Sequence, residues 1–206
     1  VEQLLYLASE YVAENFEQKN SSKDVEKCLK LTTETKAFNF NSDFLKEIAS
    51  KLYPLDILSA NVLTLSLQRY GQNERSLFSF LESSDYTGLL KFNQKENPFY
   101  NLSNVYDYLN FNFYSFLTSK YNPDFSSWSS IRSSIEEVER AFESSIDDYV
   151  KAVKTIGLLN IFSANGSILD LNFLIEYLKI ACGVSDSKNI IKNLESKNII
   201  RYRSHS

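Results

Sequence analysis

The sequence predicts a mainly α-helical protein, and three observations lead there. Apolar residues recur at helical spacing along most of the chain, beginning with Leu4, Leu5, Ala8, Tyr11, Val12 and Phe16. The composition, 43% hydrophobic and 23% charged over 206 residues, is that of a globular chain able to bury a sizeable core. Aromatic residues reach 14%, with 15 Phe and 13 Tyr, so much of that core should pack through rings.

The elements follow in order. The first helix spans Leu4 to Phe16, with acidic residues on its outer face, and Asn20-Ser21-Ser22 signals a turn. Val25 to Ala37 is weaker, because Thr32, Thr33 and Thr35 lower helix propensity. Asn39, Asn41 and Ser42 offer N-cap chemistry for a helix through Phe44, Leu45, Ile48 and Leu52. Pro54 suits the first turn of the next helix, and Leu55 to Leu67 is apolar almost all round, which marks a central buried element. Gly71 reads as its C′ residue. A polar quintet, Gln72-Asn73-Glu74-Arg75-Ser76, then leads into Leu77, Phe78, Phe80 and Leu81; Asn73 can cap that helix, with Glu74 at its positive end.

Ser83-Ser84-Asp85 can start a short helix, and Asn97-Pro98 marks a loop. Leu102 to Tyr121 alternates like a strand at Leu109, Phe111 and Phe113, yet Val105, Leu109, Phe113 and Phe116 form a helical stripe; its length favours helix. Asn122-Pro123-Asp124 is the domain boundary, separating a helical domain (1–122) from a C-terminal subdomain (123–206). There Trp128 to Phe142 and Ile146 to Phe162 read as helices, and Asn165-Gly166 as a tight turn. Leu171 to Ala181 and Ser187 to Lys197 are short helices joined through Gly183, the second capped by Ser185 with Asp186 in its first turn. Ile199 to Tyr202 is strand-like. Helix, two short helices, then strand is the order of a winged helix-turn-helix, here with its wing truncated. The expected architecture is thus a multi-helix bundle followed by a winged-helix-like subdomain.

Several function classes are excluded. His205 is the only histidine, so no His-based zinc site, Ser-His-Asp triad or Cys-His pair can be assembled. No phosphate-binding loop of the GxxxxGK[ST] kind is present. The carboxylates of Glu136-Glu137-Val138-Glu139 and Asp147-Asp148 lack metal-loop spacing and read as solvated helix faces. Cys28 and Cys182, isolated from each other, point to a reducing compartment rather than a disulfide framework. No apolar run is long enough to span a bilayer. The chain lacks methionine and stops just as a strand begins, as expected of an internal piece of a larger cytoplasmic protein. No catalytic, metal or cofactor site is expected in it.

Two places carry binding chemistry. Arg75, flanked by Gln72, Asn73 and Glu74 at a helix start, could aim its guanidinium at a nucleotide's terminal phosphates or at a neighbouring domain. The plainer reading gives Asn73 to capping, Glu74 to the helix dipole and Arg75 to a local carboxylate. The tail from Ser185 to Ser206 holds Lys188, Lys192, Lys197, Arg201 and Arg203 against Asp186 and Glu195. Lys188 and Lys192, one turn apart with Asn189 and Asn193 beside them, could serve phosphates and base edges as a recognition helix. A solvated face on a chain of net charge −4 is the plainer account. Tyr106, Tyr108, Phe111, Phe113, Tyr114 and Phe116 could stack bases, but without basic neighbours they read as core.

Leu52-Tyr53-Pro54-Leu55 together with Arg69-Tyr70-Gly71-Gln72-Asn73-Glu74-Arg75-Ser76-Leu77-Phe78-Ser79-Phe80-Leu81 resembles a signature of large bacterial P-loop ATP-binding proteins of AAA+/STAND type. In those proteins the segment lies downstream of the ATPase core, commonly with His where this chain has Tyr53. Val105-Tyr106-Asp107-Tyr108, Trp128, Lys154-Thr155-Ile156-Gly157-Leu158-Leu159-Asn160 and Ile199-Ile200-Arg201-Tyr202-Arg203 agree in order, so the resemblance spans roughly residues 50 to 203. It implies a non-catalytic regulatory or coupling segment in a defence or DNA-transaction system. ATP and Mg would then be held only by the parent's P-loop domain, with Arg75 as sensor or interdomain contact. A nucleic-acid-binding module that meets DNA through the C-terminal helices is the alternative. A structural scaffold for partner proteins is the third reading.

Overall fold

The computed structural model describes residues 1–17, 22–71, 77–163 and 169–201. Among them the chain is mainly helical: α1 (Glu2–Asn15), α2 (Ser22–Thr35), α3 (Ser42–Leu52), α4 (Ile57–Tyr70), α5 (Leu77–Leu81), α6 (Leu102–Leu117), α7 (Phe125–Ala141), α8 (Ile146–Phe162), α9 (Leu171–Ile180) and α10 (Ser187–Ser196). The described residues form no strand, only an isolated bridge between Leu55 and Tyr100.

Local chemistry explains where these helices begin and end. Thr32 and Thr33 sit within α2 because their hydroxyls donate back to the Cys28 and Leu29 carbonyls. Asn41 caps α3 by accepting from the Asp43 amide at 2.8 Å. The Tyr53–Pro54 peptide is cis, and Pro54 lies in the turn before α4, not in its first turn as the sequence suggested. Asp56 is the cap instead, accepting from the Ser59 amide at 2.8 Å. Gly71 ends α4 in right-handed geometry (φ −85°), so the left-handed C′ role expected of it is not used. Ser83 and Asp85 start no α-helix. Asp85 accepts from the Thr87 amide at 2.7 Å, and a 3-10 turn follows at Leu89–Lys91. Asp186, not Ser185, occupies the N-cap position of α10.

Beyond α10 the expected strand over Ile199 to Tyr202 does not form within the described residues 199–201. Asn198 adopts a left-handed conformation (φ 57°), its amide donates to Glu195 and the Ile199 amide donates to Leu194. This is a Schellman ending, and it turns Ile199 and Ile200 back against the core.

One continuous apolar cluster fills the molecule. α1 packs on α3 and α4, α2 on α3 and α9, and α4 on α6 and α8, while α8 also receives α6, α7 and α10. Packing therefore crosses Asn122-Pro123 through several helix pairs. α4 lies in the interior: all its residues are buried except Leu65, Gln68 and Arg69. Its buried hydroxyls are satisfied locally, Thr64 donating to Ala60 and Ser66 to Leu63. α7 and α8 approach so closely that a Cβ on Gly157 would lie 2.4 Å from Ile131 Cγ1, so glycine is required there.

Candidate functional site

The conspicuous polar quintet leaves the C-terminal end of α4, and that end is built from aromatic and charged side chains. Arg69 and Tyr70 converge on one carboxylate. Arg69 Nη1 donates to Asp124 Oδ2 at 2.9 Å, and Tyr70 Oη donates to the same oxygen at 2.6 Å. Trp128, fully buried in α7, donates its indole N–H to Tyr70 Oη at 3.1 Å and stacks on Tyr106 at 5.5 Å. The Arg69 guanidinium lies 4.9 Å from the Phe162 ring centre. Burial, reinforced by the neighbouring carboxylate, pushes the Tyr70 phenol well up, so it stays a protonated donor. Gln72, Asn73, Glu74 and Arg75 lie outside the described residues. On the far side of the quintet, Leu77, Phe80 and Leu81 are buried as predicted, and Phe78 meets Tyr11 edge-on.

The opposite end of α4 holds a second polar centre. Asp56, 2% exposed, accepts from the Ser59 amide and hydroxyl, each at 2.8 Å, and from Tyr177 Oη of α9 at 2.7 Å. Tyr177 Oη in turn accepts from the Leu102 amide at 3.1 Å, at the start of α6. Beside it, Asn101 donates to the Phe99 and Ala181 carbonyls at 3.2 Å each, and the Tyr100 amide donates to Pro54 at 2.7 Å. Three stretches distant in sequence are thus tied together at 54–59, 99–103 and 177–181. Burial raises the Asp56 carboxyl from 3.8 to about 6, against the opposing pull of the hydrogen bonds from Ser59 and Tyr177. Asp56 went unrecognised in the sequence, although a lone Asp immediately before an apolar run is a cap signal.

On α10, Lys188 and Lys192 are exposed and make no ion pair among the described residues; Arg201 is exposed and Arg203 lies outside them. The two asparagines are already engaged. Asn189 donates to the Asp186 carboxylate at 3.0 and 3.2 Å, and Asn193 donates to Tyr149 Oη at 2.9 Å. Both residues are exposed, and these bonds occupy their Nδ2 groups.

The aromatic run of α6 divides by face. Tyr106, Tyr108 and Phe113 are buried, whereas Phe111 and Tyr114 are 52% and 55% exposed and line an open cleft of about 680 Å³ with residues 86–97. Among the described residues no group of three or more His, Cys, Asp or Glu could hold a metal ion, and no helix is long and apolar enough to cross a membrane. Cys28 and Cys182 are buried free thiols, and burial pushes both well up, which leaves them protonated and weakly nucleophilic. No family model, no curated protein and no solved structure matches this chain.

Proposed function

We propose that this chain is a non-catalytic regulatory or coupling segment of a larger bacterial P-loop ATPase, working in the cytoplasm in defence or DNA transactions. The resemblance carried by Arg69 to Leu81 motivates the reading. One observation supports it most. Arg69 and Tyr70, which open that signature, share the Asp124 carboxylate just before α7, while Leu77, Phe80 and Leu81, which close it, are buried. Both flanks of the quintet are therefore rooted in the core, as a contact meant to pass force between domains requires.

Arg75, with Gln72, Asn73 and Glu74 beside it, is the residue proposed to meet the parent's ATPase domain or the terminal phosphates of its nucleotide, since a guanidinium suits phosphate bidentately. ATP and Mg belong to that domain, and this chain performs no step of hydrolysis. Arg75→Ala in the intact parent should lower the ATPase rate while leaving the thermal melting temperature of this segment unchanged. An unaltered rate would discard the role.

A second reading is favoured by the exposure of Lys188 and Lys192, which have no ion partner among the described residues. In it, α9 and α10 are the helix pair of a winged helix, and α10 lies against DNA phosphates. Duplex binding should then weaken steeply with salt and vanish in the Lys188→Glu, Lys192→Glu double variant. Absence of binding at low salt rejects this reading.

A further inference from the structure

We infer that the open cleft between residues 86–97 and the outer face of α6 binds a neutral saccharide. This inference stands apart from the ATPase reading and rests on the cleft's own side chains.

Three exposed rings converge on the cleft. Tyr86 is 73% exposed and meets Phe111 edge-on at 5.0 Å, with Tyr114 one turn further along α6. Large rings left in water around one concavity mark a surface for binding rather than for folding. A pyranose ring carries C–H bonds on its faces, and these meet the negative face of an aromatic ring favourably.

The polar groups beside the rings are of both kinds. Asn97 and Asn104 each use Oδ1 to accept, from the Asn101 side chain at 3.5 Å and the Asn101 amide at 3.0 Å. Neither Nδ2 has an acceptor among the described residues, so each is a spare donor. Spare acceptors stand among them. Asp107 takes Lys154 on Oδ1 at 2.6 Å and Glu96 takes Asn93 on Oε1 at 3.1 Å, which leaves the second oxygen of each without a donor among the described residues. Asn110 Oδ1 also lacks a donor there. A ligand for this surface must donate and accept from groups set close together. A hydroxyl does both through one oxygen, and a saccharide carries several hydroxyls on a rigid ring.

Charge and backbone narrow the choice. Lys91 and Lys154 offset Glu96 and Asp107, so the cleft has no net charge with which to hold a phosphate chain or a polycation. The described residues form no strand, so an extended peptide finds no sheet edge to pair with. The amides of α6 beyond its first turn are spent inside the helix, which leaves recognition to side chains. The volume of about 680 Å³ lies within the range of small-ligand sites, ~300–1,000 Å³.

Cellotriose and maltotriose, which join the same neutral sugar through opposite linkages, are the probes. Titrated into the isotope-labelled 206-residue chain, at least one should produce saturable shifts of the Asn97 and Asn104 side-chain amides. Phe111→Ala and Tyr86→Ala should each weaken that binding about tenfold, without changing the melting temperature, because both rings are exposed. A Gly-Ser hexapeptide serves as the contrasting ligand. Failure of both sugars to bind at millimolar concentration, equal binding of the peptide, or a sugar affinity unmoved in both ring variants would each overturn the assignment.

Discussion

At the N-terminal end of α4 the Asp56 carboxylate, sealed from solvent, accepts from Tyr177 at 2.7 Å; at the C-terminal end the Asp124 carboxylate, 21% exposed, accepts from Tyr70 at 2.6 Å. The bond is the same, but its surroundings differ. Asp56 has no cation beside it among the described residues and relies on neutral donors, so desolvation dominates and the carboxyl is raised to about 6. Asp124 shares its oxygen with Arg69 and keeps contact with water. One end of the helix is held by a knot sealed from solvent, and the other by a clasp whose Arg69–Asp124 pair water reaches. The polar quintet follows the clasp directly in sequence.

The largest test of this contrast is pH. A carboxyl raised in the folded state favours folding when protonated. The contribution from Asp56 is therefore complete below pH 3.8 and is lost as pH rises through about 6, a change of about 3 kcal/mol. Urea unfolding from pH 4 to 8 should show Asp56→Asn gaining on the parent chain as pH rises; parallel profiles would break the contrast. Tyr177→Phe comes next, at about 2–3 kcal/mol, because it strips a donor from Asp56 and an acceptor from the Leu102 amide. Asp124→Ala should cost less, about 1–2 kcal/mol, since Arg69 can turn to water although the buried Tyr70 hydroxyl loses its acceptor. Denaturant midpoints showing Asp124→Ala as costly as Tyr177→Phe would remove the distinction between the ends. Arg69→Ala should lie below about 1 kcal/mol in the same assay, and its effect should shrink further in high salt.

Periodicity made the helices legible. The apolar stripe of Ile146, Tyr149, Val150, Val153 and Ile156 marks α8 over Ile146–Phe162, and Asn41 declares α3 by its own capping chemistry. Local signals misled where tertiary contacts decide. Pro54 looks like a helix opener, yet its carbonyl is needed by the Tyr100 amide, and the cap falls to Asp56. Ile199 and Ile200 carry strand propensity, but Asn198 can enter the left-handed region and reverses the chain before any pairing begins. The stripe of Val105, Leu109 and Phe113 marks the inner face of α6, and Phe111 and Tyr114, which lie off it, are the exposed rings. Tyr177 and Asp56 are 121 residues apart, and no local pattern links them.

α4 is also a mechanical part. Its 14 residues span about 20 Å, and close packing on nearly every side leaves it no room to bend. Asp56 before its first turn fastens the rod to Tyr177 of α9, and Tyr70 in its last turn fastens it to Asp124 at the start of α7. A single rod thereby frames the molecule by pinning together positions 121 and 54 residues apart along the chain.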